Sequence, residues 1–223
     1  MLNPPPSPQP VAAAARPWDA RLARRLVMPL IHSWVTPNHL TTLRLVVGLA
    51  AAAAFIPGSY VWSNLAALLL IVSNFLDHTD GELARMSGKT SRIGHIYDLA
   101  SDAVVTILLF IAIGIGVSAR PGVELGLPPA ILGLVAGTAV ALIFYLRMRI
   151  EELLGKAATQ QATLGGFETE DVLYLFPLAT LSNALVPTLI TAAICAPLFA
   201  VWVVIDYQRL LRRDRRMAAG VAG

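Results

Sequence analysis

The chain has one cysteine, Cys195, and little charge: Asp, Glu, Lys and Arg make up 14% of its 223 residues, against 56% hydrophobic. A lone cysteine excludes an intrachain disulfide and a Cys-based metal site; inside an apolar run it is expected to be a small buried hydrophobe. So little charge excludes an ordinary soluble domain, and a mean hydropathy of +0.66 fits a polytopic membrane protein. Charge is absent altogether from Met1 to Ala15, where Pro4, Pro5, Pro6, Pro8 and Pro10 fall. A signal peptide needs a basic start and a compact apolar region, so residues 1–15 are expected to form a disordered tail.

What the chain does have is apolar sequence of spanning length, roughly 17 to 25 residues per helix. Six spans can be drawn: Leu40–Ile56, Val61–Leu76, Leu99–Val117, Pro128–Leu146, Val172–Val186 and Pro187–Ile205. The fifth is the shortest, and Ser182, Asn183 and Pro187 are expected to make a tight turn between it and the sixth. Pro177 and Pro197 are expected to kink their spans, which neighbouring helices tolerate in a membrane. The predicted fold class is therefore all-α, a polytopic membrane protein with six transmembrane helices. An N-terminal interfacial amphipathic helix precedes them: Trp18, Leu22 and Leu26 recur every fourth residue opposite Arg21, Arg24 and Arg25, and Pro29 interrupts it. The expected division is a tail at 1–15, the interfacial helix at 16–35, a catalytic membrane domain at 36–207 and a basic tail at 208–223.

Orientation follows from the basic residues. With both termini cytoplasmic, 16 of the 17 Lys and Arg lie on the cytoplasmic side and Arg120 alone lies outside, as the positive-inside rule requires. The expected location is the plasma (inner) membrane, with membrane lipids as partners and no nucleic acid. The Arg cluster from Arg209 to Arg216 is read as a topology determinant and lipid-surface tether.

Four aspartates then stand at one membrane edge. Asp77 and Asp80 are three apart at the end of span two, and Asp98 and Asp102 four apart at the start of span three. On helices each spacing puts two carboxylates on one face. A short connection between Gly81 and Tyr97 lets those faces oppose each other, so the four are expected to converge. Like charges this close stay ionised together only when divalent cations neutralise them, and hard oxygen ligands favour Mg²⁺, Mn²⁺ or Ca²⁺. Because Mg²⁺ binds through a few carboxylates plus substrate phosphates, a phosphorylated partner is expected. Gly81 and Ala84 keep the next turn small, Arg85 offers a fork for phosphate oxygens, and Gly94 clears space before Asp98. Lys89 and Arg92 are read as inside-facing loop charges, His78 and His95 as loop histidines that are not ligands, and Glu82 as solvated.

Asp77, Asp80, Gly81, Ala84, Arg85, Gly94, Asp98 and Asp102 match, position for position, the signature D-x2-D-G-x2-A-R-x8-G-x3-D-x3-D, and the chain thereby resembles the CDP-alcohol phosphotransferases. Thr36-Pro37-Asn38, with Leu40, Thr41 and Arg44 following, is similar to the start of that family's first membrane helix. The resemblance implies transfer of a substituted phosphate from a CDP-linked donor, expected to be CDP-diacylglycerol, to the hydroxyl of a small polar alcohol with release of CMP, in phospholipid biosynthesis. It implies two Mg²⁺ or Mn²⁺ ions held by Asp77, Asp80 and Asp98 with Asp102 contributing, Asp102 as general base, and a CMP-side pocket formed by Gly81, Ala84, Arg85 and Gly94. A homodimer is implied too, and the small-residue patches Ala50 to Ala54, Gly133 with Gly137, and Ala192 with Ala196 offer contacts either within or between subunits.

The acceptor is less legible. Arg147, Arg149 and Lys156 would suit a phosphorylated acceptor; Glu168, Glu170 and Asp171 would suit a polyol or a cationic one. The Asp80–Arg85 segment DGELAR is similar to family members that handle inositol phosphates. Two alternatives remain: a head-group transferase moving phosphocholine or phosphoethanolamine onto a lipid, and a cation-coupled transporter. The second is disfavoured because the carboxylates cluster at one interface, no inverted repeat is visible, and spans three to six carry no acidic residue at mid-depth.

Overall fold

The computed structural model describes residues 18–154 and 174–221. Among these the order is α1 (Trp18–Val27), a 3₁₀ turn (Met28–Leu30), α2 (Pro37–Phe55), α3 (Tyr60–Ser87), α4 (Arg92–Ser118), α5 (Pro129–Leu154), α6 (Phe176–Leu181) and α7 (Leu185–Val221). All described secondary structure is helical. Five helices, α2, α3, α4, α5 and α7, are long and apolar enough to cross a membrane, which makes this a multi-pass membrane protein.

The expected fifth span, Val172–Val186, begins outside the described residues. Its described part runs along α3: the Tyr174 ring stacks on His78, and the Leu181 carbonyl accepts from the Tyr60 hydroxyl at the other end of that helix. Pro177 stands in the first turn of α6, where its fixed φ starts a helix, so it does not kink a span as expected. Of the turn expected at Ser182, Asn183 and Pro187, Ser182 and Asn183 form it, with Asn183 at φ 55°, whereas Pro187 lies in the first turn of α7, which begins at Leu185. Pro197 lies inside α7. The expected 1–15 tail lies outside the described residues.

Local sequence fixes where the helices stop. Pro37 sits in the first turn of α2, and His39 Nδ1 accepts from the Thr36 backbone N–H at 3.2 Å. Gly88 closes α3 in the left-handed region at φ 68°, and the Ser91 hydroxyl caps α4 by accepting from the Gly94 N–H at 2.9 Å. Only Gly88 to Ser91 therefore separate α3 from α4, and the stretch from Gly81 to Tyr97, expected to be a connection, is mostly helix. A four-residue link forces the two helices antiparallel, which brings their aspartate-bearing ends side by side.

Packing follows from small residues. α2 lies against α3 and α4, α4 against α5, and α5 against α7, while α1 rests on α3. Ala51, Phe55, Ala66, Leu70, Ile113 and Val117 form the centre of the main core. A side chain at Gly133 would meet the Phe110 carbonyl under 3 Å away, and one at Gly137 would meet Ile107 at 2.9 Å. This small-residue pair therefore serves α4–α5 contact within one chain. In α1, Ala23 and Val27 are fully covered while Leu22 and Leu26 stay exposed; besides the predicted apolar and basic faces, the helix has a third that docks on the protein. Cys195 is exposed, contrary to expectation, beside the equally exposed Ile194 and Leu198 of α7. In a spanning helix the outer face meets lipid tails, so an apolar side chain there needs no protein cover.

The end of the bundle opposite the aspartates is closed by Arg120. Its guanidinium donates to the Gly58 carbonyl at 3.0 Å, to Asn183 Oδ1 at 2.8 Å and to Ser63 Oγ at 3.5 Å, tying three connections together. Arg120→Ala is expected to lower stability by about 1–2 kcal/mol, the modest side of the range for hydrogen bonds from a charged donor that is partly exposed. Thermal unfolding in detergent measures this, and an unchanged midpoint would count against the clasp. Gly133→Leu is expected to cost more, about 1–3 kcal/mol from overpacking against α4; wild-type stability in the same assay would refute the close approach.

Candidate metal centre

The site is built by α2, α3 and α4. Asp77 lies on α3, and Asp98 and Asp102 lie one turn apart on α4. One carboxylate oxygen of each comes within 4.8 Å of the others. The i, i+4 spacing and the short α3–α4 link suffice to explain why these three meet. Their side chains remain open to solvent on one side, at 34% for Asp77, 35% for Asp98 and 45% for Asp102.

Asp80 stands one turn further along α3 and is buried. Its Oδ2 accepts from the Thr41 hydroxyl of α2 at 2.8 Å. Three of the four expected carboxylates therefore gather, with the fourth adjacent and held by α2.

Sequence reading treated Arg44 as a topology charge at the start of the first span, yet its side chain reaches the centre of this group. It is 4% exposed. One guanidinium nitrogen contacts both Asp77 Oδ1 and Asp102 Oδ1. The other lies 3.1 Å from Asp98 Oδ1 and donates to the Asp98 carbonyl at 3.2 Å. The signal that could have found it is position: Arg44 follows Thr41 by three residues, on the inward face of an apolar run.

The donor set suits a divalent cation. Three carboxylates balanced by one guanidinium leave an excess of negative charge, and Asp80 adds to it. Buried Asp98 Oδ1 makes no aligned hydrogen bond although the Arg44 nitrogen is near. Oxygen-only ligands with an open side fit Mg²⁺ or Mn²⁺, which keep part of their shell for water or phosphate.

The remaining expected residues fall around this group. Gly81 lies on α3 one turn before Arg85 and Ala84 directly before it, and a side chain at Gly81 would meet the Arg85 guanidinium at 3.4 Å. Arg85 pairs with Glu82 at 3.0 Å. Glu82 is 6% exposed, so the expectation that it is solvated fails; its carboxylate is covered by the helix that carries it and by that pairing. A cavity of about 490 Å³ lined by Arg24, Glu82, Arg85 and Met86 opens between α1 and α3.

Gly94 lies in the first turn of α4. A side chain there would lie 2.8 Å from Asn38 Oδ1 and 2.9 Å from Ser91 Oγ, so its bareness admits the start of α2 and the α4 cap. Lys89 is structural: its ammonium donates to the carbonyls of Ser33 at 2.8 Å and Val35 at 3.3 Å. His78 and His95 are helical, not loop, residues; His95 lies 3.7 Å from Glu152. Arg147 sits over the Phe199 ring at 5.8 Å, and Arg149 donates to Glu152 at 2.5 Å. Lys156, Glu168, Glu170 and Asp171 lie outside the described residues.

Comparison with known proteins places this geometry in a lineage. Residues 34–208 match the family described as CDP-alcohol phosphatidyltransferase. Over 101 residues the chain is 35% identical to archaetidylinositol phosphate synthase of Pyrococcus horikoshii, covering 44% of this chain and 52% of that one. Over 95 residues it is 36% identical to cholinephosphotransferase 1 of Danio rerio, covering 38% and 24%. The matches thus span about a quarter to a half of these relatives' own length. The fold is shared with phosphatidylinositol phosphate synthase of Mycobacterium tuberculosis, solved with CDP-DAG bound, at a TM-score of 0.55 and 22% identity over 86% of this chain and 92% of that one. The same synthase, solved in complex with manganese and citrate, gives 0.53 at 21% identity over 87% of each chain. With a match over most of its length and the aspartates of α3 and α4 gathered at one end of a membrane bundle, the chain belongs to the CDP-alcohol phosphatidyltransferase family of enzymes.

Proposed function

We propose that the protein transfers a phosphatidyl group from a CDP-linked lipid, CDP-diacylglycerol, to the hydroxyl of a small polar alcohol and releases CMP, as a step of phospholipid biosynthesis. The observation that carries this reading is the convergence of Asp77, Asp98 and Asp102 within 4.8 Å at one end of an apolar bundle. There the acyl chains of a donor stay in hydrocarbon while its nucleotide and the acceptor stay in water. A relative of the same fold was solved with CDP-DAG, and an archaeal relative is named for making an inositol phosphate lipid. The head-group transferase reading is favoured only by the similarity to cholinephosphotransferase 1.

Two Mg²⁺ or Mn²⁺ ions are assigned to Asp77, Asp80 and Asp98, with Asp102 contributing. Bound there, they would neutralise the donor diphosphate and polarise the phosphorus under attack. Asp102 is assigned the acceptor proton because its side chain is the most open of the three. The acceptor oxygen then bonds to phosphorus as the bond to the CMP oxygen breaks. Gly81, Ala84, Arg85 and Gly94 are assigned to the CMP side, and Arg24 is added to them from the cavity it shares with Arg85. Arg147, Arg149, Lys156, Glu168 and Glu170 are the candidates for meeting the acceptor. On this reading the protein sits in the inner membrane as a homodimer with the site and both termini cytoplasmic.

The test is CMP release by purified protein from CDP-diacylglycerol with glycerol 3-phosphate, inositol, inositol phosphate or serine. Asp102→Asn is expected to keep donor binding and lose about 10²–10⁴-fold in turnover; retained turnover removes it from the base role. Chelation with EDTA is expected to abolish release and Mn²⁺ to restore it, whereas release that survives chelation would sink the metal assignment. Activity only with CDP-choline plus diacylglycerol would reverse donor and acceptor.

A further inference from the structure

We infer that Arg44 is the built-in counter-ion of the aspartate group: a positioning residue that holds one oxygen of Asp77, Asp98 and Asp102 together from the protein side and leaves their other oxygens to a cation arriving from the open side.

The geometry is one-sided. Arg44 comes from α2, is 4% exposed, and engages the Oδ1 atom of each of the three aspartates. The Oδ2 atoms of these aspartates take no hydrogen bond from any described residue, and the three side chains are 34 to 45% open. Arg44 itself is anchored: it also donates to the Asp98 carbonyl, its own carbonyl accepts from buried Ser73 of α3 at 3.1 Å, and Thr41 one turn before it holds Asp80. A planar guanidinium can serve several carboxylates at once through fixed donors, which an ammonium cannot. Opposed carboxylates on two helices joined by four residues would otherwise push α3 and α4 apart whenever no cation is bound. Removing one partner from a buried charged group leaves the others uncompensated, and that is costly.

This inference rests on the metal reading only for what the open side receives; the counter-ion role is tested without metal. Thermal unfolding of the purified full chain in detergent, in EDTA, compares wild type with Arg44→Met, Arg44→Lys and Arg44→Met/Asp102→Asn. Arg44→Met is expected to lower Tm by roughly 5–15 °C, Arg44→Lys by less, and the double variant to recover most of the loss by removing one negative charge along with the positive one. If Arg44→Met fails to accumulate, recovery of folded protein in the double variant is the same result. An unchanged Tm for Arg44→Met overturns the proposal. So does a loss that Asp102→Asn does not repair, since that assigns Arg44 to packing alone. In a parallel series Mn²⁺ is expected to raise Tm more in Arg44→Met than in wild type; no rise in either protein overturns the metal reading and leaves the EDTA comparison to judge Arg44.

Discussion

Attraction between three aspartates and one buried guanidinium is the constraint on which the carboxylate end of the bundle depends. α3 and α4 bring the carboxylates together because a four-residue link leaves them no other course, and α2 supplies the opposite charge from the third side. Each helix is positioned by the other two through these contacts. A cation-binding group made this way has a closed face and an open one, and only the open one is available to substrate.

The rest of that end extends the same logic. Lys89, in the α3–α4 link, spends its donors on the carbonyls of Ser33 and Val35 that precede α2, so the link and the approach to α2 form one unit. α1 packs on α3 beside Arg85 through Ala23 and Val27. The surface helix, the first span and the aspartate helices are thus a continuous construction.

How much of this was legible can be argued residue by residue. The pairing of Asp77 with Asp98 and Asp102 follows from helical spacing, and membrane character follows from hydropathy alone. Arg44 was hidden because an arginine at the head of a span looks like any orientation-setting charge; only tertiary packing turns it inward. Glu82 looked solvated because a glutamate three residues before an arginine reads as an exposed helix pair, whereas its own helix and that pairing cover the carboxylate. Gly94 was read as room for a ligand, whereas its space is shared with Asn38, 56 residues earlier in the chain. Helix ends were misplaced because apolar runs mark where lipid begins, not where hydrogen-bonded turns stop: α3 and α4 continue through polar sequence until Gly88 and Ser91 end them.

At the far end, Arg120 is enclosed by neutral oxygens of Gly58, Ser63 and Asn183. Along the connections there, from Ile56 to Ser59, Ala119 to Pro128 and Ser182 to Ala184, the only other charged residue is Glu124. Carrying these three connections across a bilayer therefore takes just one cation and one anion through hydrocarbon, where each charge is expensive, and the cation has its acceptors within the protein. The work of insertion is kept small by the same asymmetry that concentrates reactivity on the other side.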